Sequence, residues 1–195
     1  ANSWPAIEYE SDNAVVVGVH DQRPYIINGQ KSPTYVGTVR GGFGNPWDVN
    51  TQSDTPLSDD ISSAVVSGLK RLGTQAESVS IAFSDEHQVA LGKLKQSGAQ
   101  RIVLITLQEW RSDRYKNSGF YIDAILRVYD KNGKELGSSF TSHKNTGSGD
   151  GSVEDTFDAA RSYLSKLLND PKIKTALLHV SGTAMKIKTE QEVLA

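Results

Sequence analysis

The sequence contains no cysteine among its 195 residues. This absence excludes disulfide bonds, cysteine-ligated metals and thiol nucleophiles, and it fits a compartment where stray thiols would oxidise. No apolar run approaches the roughly 20 residues that a membrane-spanning helix needs. The longest run, residues 102–107, has the length of a strand. The chain also lacks an excess of either charge, with a net charge of −2, so we expect no nucleic-acid partner.

The composition is that of a folded protein with one core. Hydrophobic residues make up 37% of the chain and charged residues 23%, which supplies enough apolar material for a sizeable core. The polar, aperiodic start predicts a tether over residues 1–13. We predict a single domain over residues 14–178 and a C-terminal tail over residues 179–195.

Helical spacing of apolar residues predicts helices over residues 55–73, 84–98, 152–169 and 171–178. Each of the first three begins at a hydroxyl residue that could cap it, namely Thr55, Ser84 and Ser152. The first also has Pro56 in its first turn and Gly73 at its end.

Strand signals alternate with these helices. Residues 14–19 are a β-branched run, residues 77–83 alternate, and residues 101–110 form the strongest strand, whose unbroken apolar run implies a central position. Asn132-Gly133 predicts a hairpin turn with positive φ at both residues. The order predicts an α/β (α+β) fold, a single domain with a mixed sheet of about five strands and three to four helices. A faint strand signal follows at residues 183–188.

Several of these strings resemble a group of bacterial envelope lipoproteins that shares its fold with the N-terminal domain of the periplasmic protein TolB. The group includes the YajG type and the lipoprotein activators of penicillin-binding proteins. The resemblance rests on the first strand and its exit, the first helix, the central strand, the hairpin and the closing helix. These are residues 14–24, 56–73, 103–110, 126–139 and 167–178.

The resemblance implies a non-enzymatic module in the bacterial periplasm that docks on other envelope proteins and needs no cofactor. It also implies an outer-membrane anchor on a lipidated cysteine before the tether. That cysteine is absent here, and on this resemblance we expect it to have been removed. A homo-oligomeric structural component, pairing through edge strands or the tail, is a further alternative.

The stretch TVRGGFGNPWDVNTQ, residues 38–52, lies in a predicted loop over residues 25–54 that could hide a short strand. It lacks the Lys-Ser/Thr of a phosphate-binding loop and the dinucleotide-binding glycine pattern. Its arginine and aromatic residues are of the types that dominate protein interfaces. We therefore predict partner binding by Tyr35, Arg40, Phe43 and Trp47. The alternative is that Phe43 and Trp47 fold back onto the core.

The end of the first strand is a second candidate site, because ligands bind at the carboxyl ends of parallel strands. Asp21, Arg23, Glu109 and Arg111 could form a ligand site in an envelope enzyme or a binder of small ligands or glycans. Asp21 and Arg23 fall on one face of the strand, so a structural ion pair explains them more simply. His20 lies on the other face, which argues against a base and orienter pair with Asp21.

Other catalytic and metal signatures are missing from the sequence. No G-x-S-x-G motif occurs. The histidines, at positions 20, 87, 143 and 179, share no close metal-ligand spacing. We therefore predict no enzyme activity, no metal and no cofactor.

Overall fold

The structure is a computed structural model that describes residues 5–114, 118–146 and 153–178. Its strands are β1 (Val15–Asp21), β2 (Tyr35–Arg40), β3 (Pro46–Asn50), β4 (Ala76–Ser78), β5 (Arg101–Arg114), β6 (Ser118–Asp130) and β7 (Glu135–Thr146). Its helices are α1 (Pro24–Ile27), α2 (Leu57–Arg71), α3 (His87–Lys95), α4 (Val153–Leu168) and α5 (Pro171–Leu178).

Strand β5 organises a mixed sheet that has seven strands in the described part of the chain. Strand β6 pairs with it antiparallel along its length. On its other side, residues 101–107 pair with β1 and residues 112–114 pair with β2, both in parallel. Strands β4, β3 and β7 lie outside β1, β2 and β6. The predicted single mixed α/β domain and the central place of its strongest strand are confirmed.

Helices cover the two faces of this sheet unequally. The large core, with Val17, Val103 and Leu126 from the sheet, packs against apolar residues of α2, α4 and α5. The smaller core, with Leu104, packs against Leu94 and its neighbours on α3. Successive residues of a strand point to opposite faces, so the continuous apolar run of β5 is buried on both.

The predicted loop over residues 25–54 is wrong where it contains α1 and β3, and the short strand that it could hide is β2. Residues 24–27 form α1, and β2 and β3 pair antiparallel as a β-hairpin that contains most of the stretch 38–52. The Gly41 N–H donates to the Asn45 carbonyl at 3.0 Å, and Gly44 has a φ of +82°. The glycines thus close a tight turn, where a left-handed residue is needed.

Local signals also misplace the edges of other elements. The strand predicted over residues 77–83 covers only Ala76–Ser78, and α3 begins at His87 instead of after Ser84. The Thr55 hydroxyl donates to the Asp60 carboxylate at 2.9 Å instead of capping α2. The Ser152 cap and the strand signal at residues 183–188 lie outside the described residues.

The β6–β7 hairpin is confirmed, with a different turn from the one predicted. Only Gly133 has a positive φ, of +89°. Its N–H donates to the Asp130 carbonyl at 2.9 Å, and the pairing shifts register between Val128 and Tyr129. This is a turn followed by a left-handed glycine and a bulge, the usual form of a slightly longer hairpin loop.

Residues 5–13 differ from the predicted tether because they pack against the C-terminal helices. Ile7 and Tyr9 are 8% and 6% exposed. The Tyr9 hydroxyl donates to the Leu168 carbonyl at 2.7 Å. Ser11 Oγ and Asn13 Nδ2 each donate to the Leu177 carbonyl at 2.8 Å. These side chains satisfy carbonyls at the ends of α4 and α5 that the helices leave free.

This packing predicts that Tyr9→Phe lowers the free energy of unfolding by about 1–3 kcal/mol, because a buried carbonyl loses its donor. Urea denaturation followed by circular dichroism measures the change. Glu8→Ala is the matched control, since the Glu8 side chain is exposed and we expect a change within about 0.5 kcal/mol. Equal stability of the Tyr9 variant and the natural protein would show that the segment is a tether after all.

Candidate functional site

The end of β1 carries a buried ion pair between Asp21 and Arg23. Their side chains are 2% and 0% exposed. Arg23 Nε donates to Asp21 Oδ1 at 2.8 Å, and Arg23 Nη2 donates to Asp21 Oδ2 at 2.6 Å. Burial lowers the pKa of Arg23, but the bond and charge of Asp21 outweigh it, so the pKa is raised. The two-pronged geometry is the strong form of this contact.

The remaining donors of Arg23 reach backbone carbonyls of neighbouring segments. Arg23 Nη1 donates to Tyr35 at 2.7 Å and to Trp110 at 3.1 Å. Arg23 Nη2 donates to Pro33 at 3.4 Å. One side chain therefore joins the end of β1, the start of β2 and the middle of β5. The predicted structural ion pair is present, and its groups are engaged inside the protein.

Glu109 and Arg111 do not complete a ligand site with this pair. Glu109 Oε1 accepts from the Tyr25 hydroxyl at 2.6 Å and from the Trp110 N–H at 2.9 Å. Arg111 Nε lies 3.6 Å from Glu109 Oε2, and its guanidinium lies over the Tyr121 ring. Trp110 belongs to the large core, so strand alternation places Glu109 and Arg111 on the opposite face.

His20 faces the smaller core and is 3% exposed. Its Nε2 lies 2.8 Å from Gln22 Nε2, which also donates to the Phe83 carbonyl at 2.8 Å. Since the amide nitrogen can only donate, the imidazole nitrogen accepts and the ring is neutral. Burial lowers the pKa of His20, which favours the same form. The structure does not form a base and orienter pair, because both oxygens of Asp21 accept from Arg23.

The β2–β3 hairpin presents two of the predicted binding residues to solvent. Phe43, in its turn, is 101% exposed, and Trp47 is 57% exposed. The Trp47 ring lies against Gly41, where an added Cβ would come within 2.5 Å of the ring. The alternative that both aromatic residues fold back onto the core is therefore wrong.

The other two predicted residues hold the hairpin in place. Arg40 Nε and Nη2 donate to the two carboxylate oxygens of Asp113, each at 3.1 Å. Tyr35 is 4% exposed, so its side chain is not available to a partner. Its hydroxyl bonds with Thr38 Oγ1 at 2.8 Å, and its ring meets the Tyr25 ring edge-on. Arg40 and Tyr35 thus fix the two ends of β2.

A cavity of about 600 Å³ lies beneath the base of this hairpin. It is enclosed by the hairpin, α2, α4, the last five residues of β5 and the start of β6. Its apolar lining residues are Val36, Val49, Leu57, Ile61, Ala64, Trp110, Phe120 and Ala160, and its polar ones include Asn50, Gln52, Ser53, Asp60, Ser112 and Arg114. The sequence does not predict this cavity, because its walls come from distant segments. The alternation of Trp110, Ser112 and Arg114 on β5 was the one local signal.

Metal and membrane signals are also absent from the described part of the chain. Among residues 5–114, 118–146 and 153–178, no group of three or more histidine and acidic side chains could hold a metal ion. No helix in those ranges has the length and apolarity to cross a bilayer. His87 and His143 lie against Tyr129 and Tyr163, and His179 lies outside the described residues.

No protein-family model matches this chain, and no curated protein matches its sequence. Several solved structures are similar to it in three dimensions. Protein XCC0632 from Xanthomonas campestris, of family DUF330, is 12% identical with a TM-score of 0.45, over 91% of this chain and 87% of that chain. The PelC dodecamer from Paraburkholderia phytofirmans is 18% identical with a TM-score of 0.47, over 86% and 91%. The LpoB C-terminal domain from Salmonella enterica is 10% identical with a TM-score of 0.35, over 72% and 88%.

The buried pair predicts a large stability loss when one charge is removed. We expect Asp21→Asn to lower the free energy of unfolding by about 3–5 kcal/mol, because it leaves a buried guanidinium without its counter-ion. Asp113→Asn is the matched control, since the Arg40–Asp113 pair is partly exposed and such pairs contribute about 1 kcal/mol or less. Guanidinium chloride denaturation of both variants measures the difference. Similar losses in the two variants would contradict the account of Arg23.

Proposed function

We propose that this protein is a non-enzymatic binding module that docks on another protein through the tip of the β2–β3 hairpin. The observation that carries the proposal is the exposure of Phe43 and Trp47 on one small, shaped projection. Large aromatic side chains are enriched among the residues that dominate interface energetics. Aromatic side chains bury about 150–250 Å² each, so two of them supply the centre of a small interface.

The hairpin is held in one conformation before any partner arrives. Arg23 bonds the carbonyl of Tyr35 at the start of β2, and Arg40 bonds Asp113 at its end. Trp47 already rests on Gly41. Ordering a side chain on binding costs about 0.5–1.5 kcal/mol, so a pre-shaped tip retains more of the energy of burial as affinity.

Arg40 has a smaller role in this proposal than the sequence indicated. A partner carboxylate would compete with Asp113, which already accepts two of its bonds. The partner site that fits the tip is therefore an apolar groove that takes Phe43 and the free face of Trp47. Specificity would come from the shape of this groove.

The envelope of a bacterium is the proposed compartment. The absence of cysteine and the resemblance of the sequence to envelope lipoproteins support a periplasmic protein, anchored in the outer membrane by a lipid, with other envelope proteins as partners. The bonds that Asp21, Arg23 and Glu109 make inside the protein argue against catalysis at the strand ends, because these polar groups already have partners.

Self-association is a second proposed function, and one observation favours it. The 12-residue strand β7 pairs on one side only within the described residues, and Phe140 on it is 76% exposed. A long edge strand is a template for pairing with another chain. Light scattering that gives a single-chain mass at micromolar concentration would contradict this second function.

A crosslinking pull-down from the native envelope tests hairpin docking. The baits are the natural protein, Phe43→Ala/Trp47→Ala and the control Val89→Ala, which truncates an exposed apolar side chain on α3. We expect one envelope protein to be captured by the first and third baits and to fall at least about tenfold with the second, since truncating interface anchors costs about 2 kcal/mol or more.

The captured protein is then purified and titrated with the same three baits. Equal thermal unfolding of the baits shows that the fold is unchanged, as expected for exposed sites. Equal capture by all three baits, or no capture by any, would overturn the proposal.

A further inference from the structure

The cavity beneath the hairpin has the construction of a binding site for a small molecule. Its volume of about 600 Å³ lies within the range of about 300–1,000 Å³ that is usual for ligand sites. The walls come from three directions: Val36 and Val49 from the hairpin, Leu57 and Ile61 from α2, and Phe120 from β6. Trp110, which is buried, forms part of the floor. An apolar body of a ligand fits this part of the cavity.

Two of the polar residues that line the cavity carry charge, Asp60 and Arg114. Asp60 is the lining residue with negative charge, and its two oxygens accept from Ser53 Oγ at 2.7 Å and Thr55 Oγ1 at 2.9 Å. Asp60 also lies in the first turn of α2, where the helix dipole favours an anion. The negative charge of Asp60 is thus already stabilised by the protein.

Arg114, the positively charged residue of the lining, lacks the partners that Asp60 has among the residues that the structure describes. It lines the cavity at the end of β5, and its Nε is buried without a hydrogen-bond partner among the residues that the structure describes. No described carboxylate forms an ion pair with it, whereas Arg40, on the neighbouring strand, pairs with Asp113. A buried N–H of a charged group that lacks an acceptor costs free energy. An anionic acceptor on a ligand would remove that cost.

We propose that this cavity binds a single-chain amphiphile, with its apolar chain against Trp110, Phe120 and the α2 side chains and its anionic head group on Arg114. Apolar walls select for the chain, and the guanidinium selects for a carboxylate, sulfate or phosphate head. The site is separate from the hairpin tip, because Phe43 and Trp47 do not line it. Binding here and docking at the tip therefore succeed or fail independently.

Calorimetric titration of the full chain with decanoate, below its micelle concentration, tests the proposal. Decanol and decyltrimethylammonium are the probes with matched chains and a neutral or cationic head. The variants are Ala64→Phe, which fills the cavity, and Arg114→Gln, which removes the charge. Arg111→Gln is the matched control, since Arg111 projects from the other face of the same strand and does not line the cavity.

We expect one decanoate per chain, no measurable binding to Ala64→Phe, and an unchanged affinity for Arg111→Gln. Arg114→Gln should weaken decanoate about tenfold, the usual worth of a charge-assisted contact, and leave decanol unchanged. If Ala64→Phe does not fold, Val49→Phe fills the same space from the hairpin.

Three results would overturn the inference. The first is the absence of saturable decanoate binding, including the case in which the chain's own residues fill the cavity. The second is unchanged binding in a folded cavity-filling variant, which would place the site elsewhere. The third is evidence that the guanidinium does not bind the head group. That evidence would be an equal affinity for decanoate and decyltrimethylammonium, or equal effects of the Arg114 and Arg111 variants.

Discussion

The buried guanidinium of Arg23 makes the contacts on which the arrangement of β1, β2 and β5 depends. Burying a charge costs several kcal/mol unless it is paired and its donors are satisfied. Here Asp21 supplies the counter-ion through two short bonds, and the carbonyls of Pro33, Tyr35 and Trp110 accept the remaining donors. These acceptors come from three segments. The low cost of burying Arg23 therefore requires that β1, β2 and β5 keep their relative positions.

The hairpin and the cavity both follow from this constraint. Strand β2 touches β5 through only a short parallel pairing, over Gly37–Val39. A Cβ at Gly37 would come within 2.1 Å of Ser112 Oγ, so the strands approach closely at that point. Together with Arg23 and the Arg40–Asp113 pair, this contact holds the base of the hairpin above α2. The space left between them is the cavity, and the unsupported end of the hairpin is the exposed tip.

Local signals in the sequence were sufficient for the elements that bury an apolar face. The unbroken run in β5, the helical spacing in α2 and the glycine at position 133 each act over a few residues, and each predicted its element. The mixed α/β class followed from their order. The pairing of Asp21 with Arg23 was also foreseeable, because strand alternation puts residues two apart on one face.

The features that the sequence could not reveal depend on distant contacts. Strands β2 and β3 are short and partly exposed, so their alternation is weak, and the glycines of the turn are equally typical of a loop. Residues 5–13 are polar, yet Ser11 and Asn13 are buried because the carbonyl of Leu177 accepts from both. Nothing local indicates that Arg23 is buried and Arg40 is not. The walls of the cavity lie up to 124 positions apart, from Val36 to Ala160, so the sequence indicates only the part of the lining that lies on β5.

Hydrogen–deuterium exchange on Asp21→Asn/Arg23→Met tests the role of Arg23 most directly. The double variant removes both charges, so the domain is not left with an uncompensated buried ion. The account predicts that backbone amides of β2 and β3 exchange faster by at least about tenfold, which corresponds to a local loss of about 1.4 kcal/mol. Amides of β5 and β6 away from the hairpin, such as those of Leu104 and Leu126, should keep their protection. Unchanged exchange in the hairpin, or the same acceleration across the whole sheet, would contradict it.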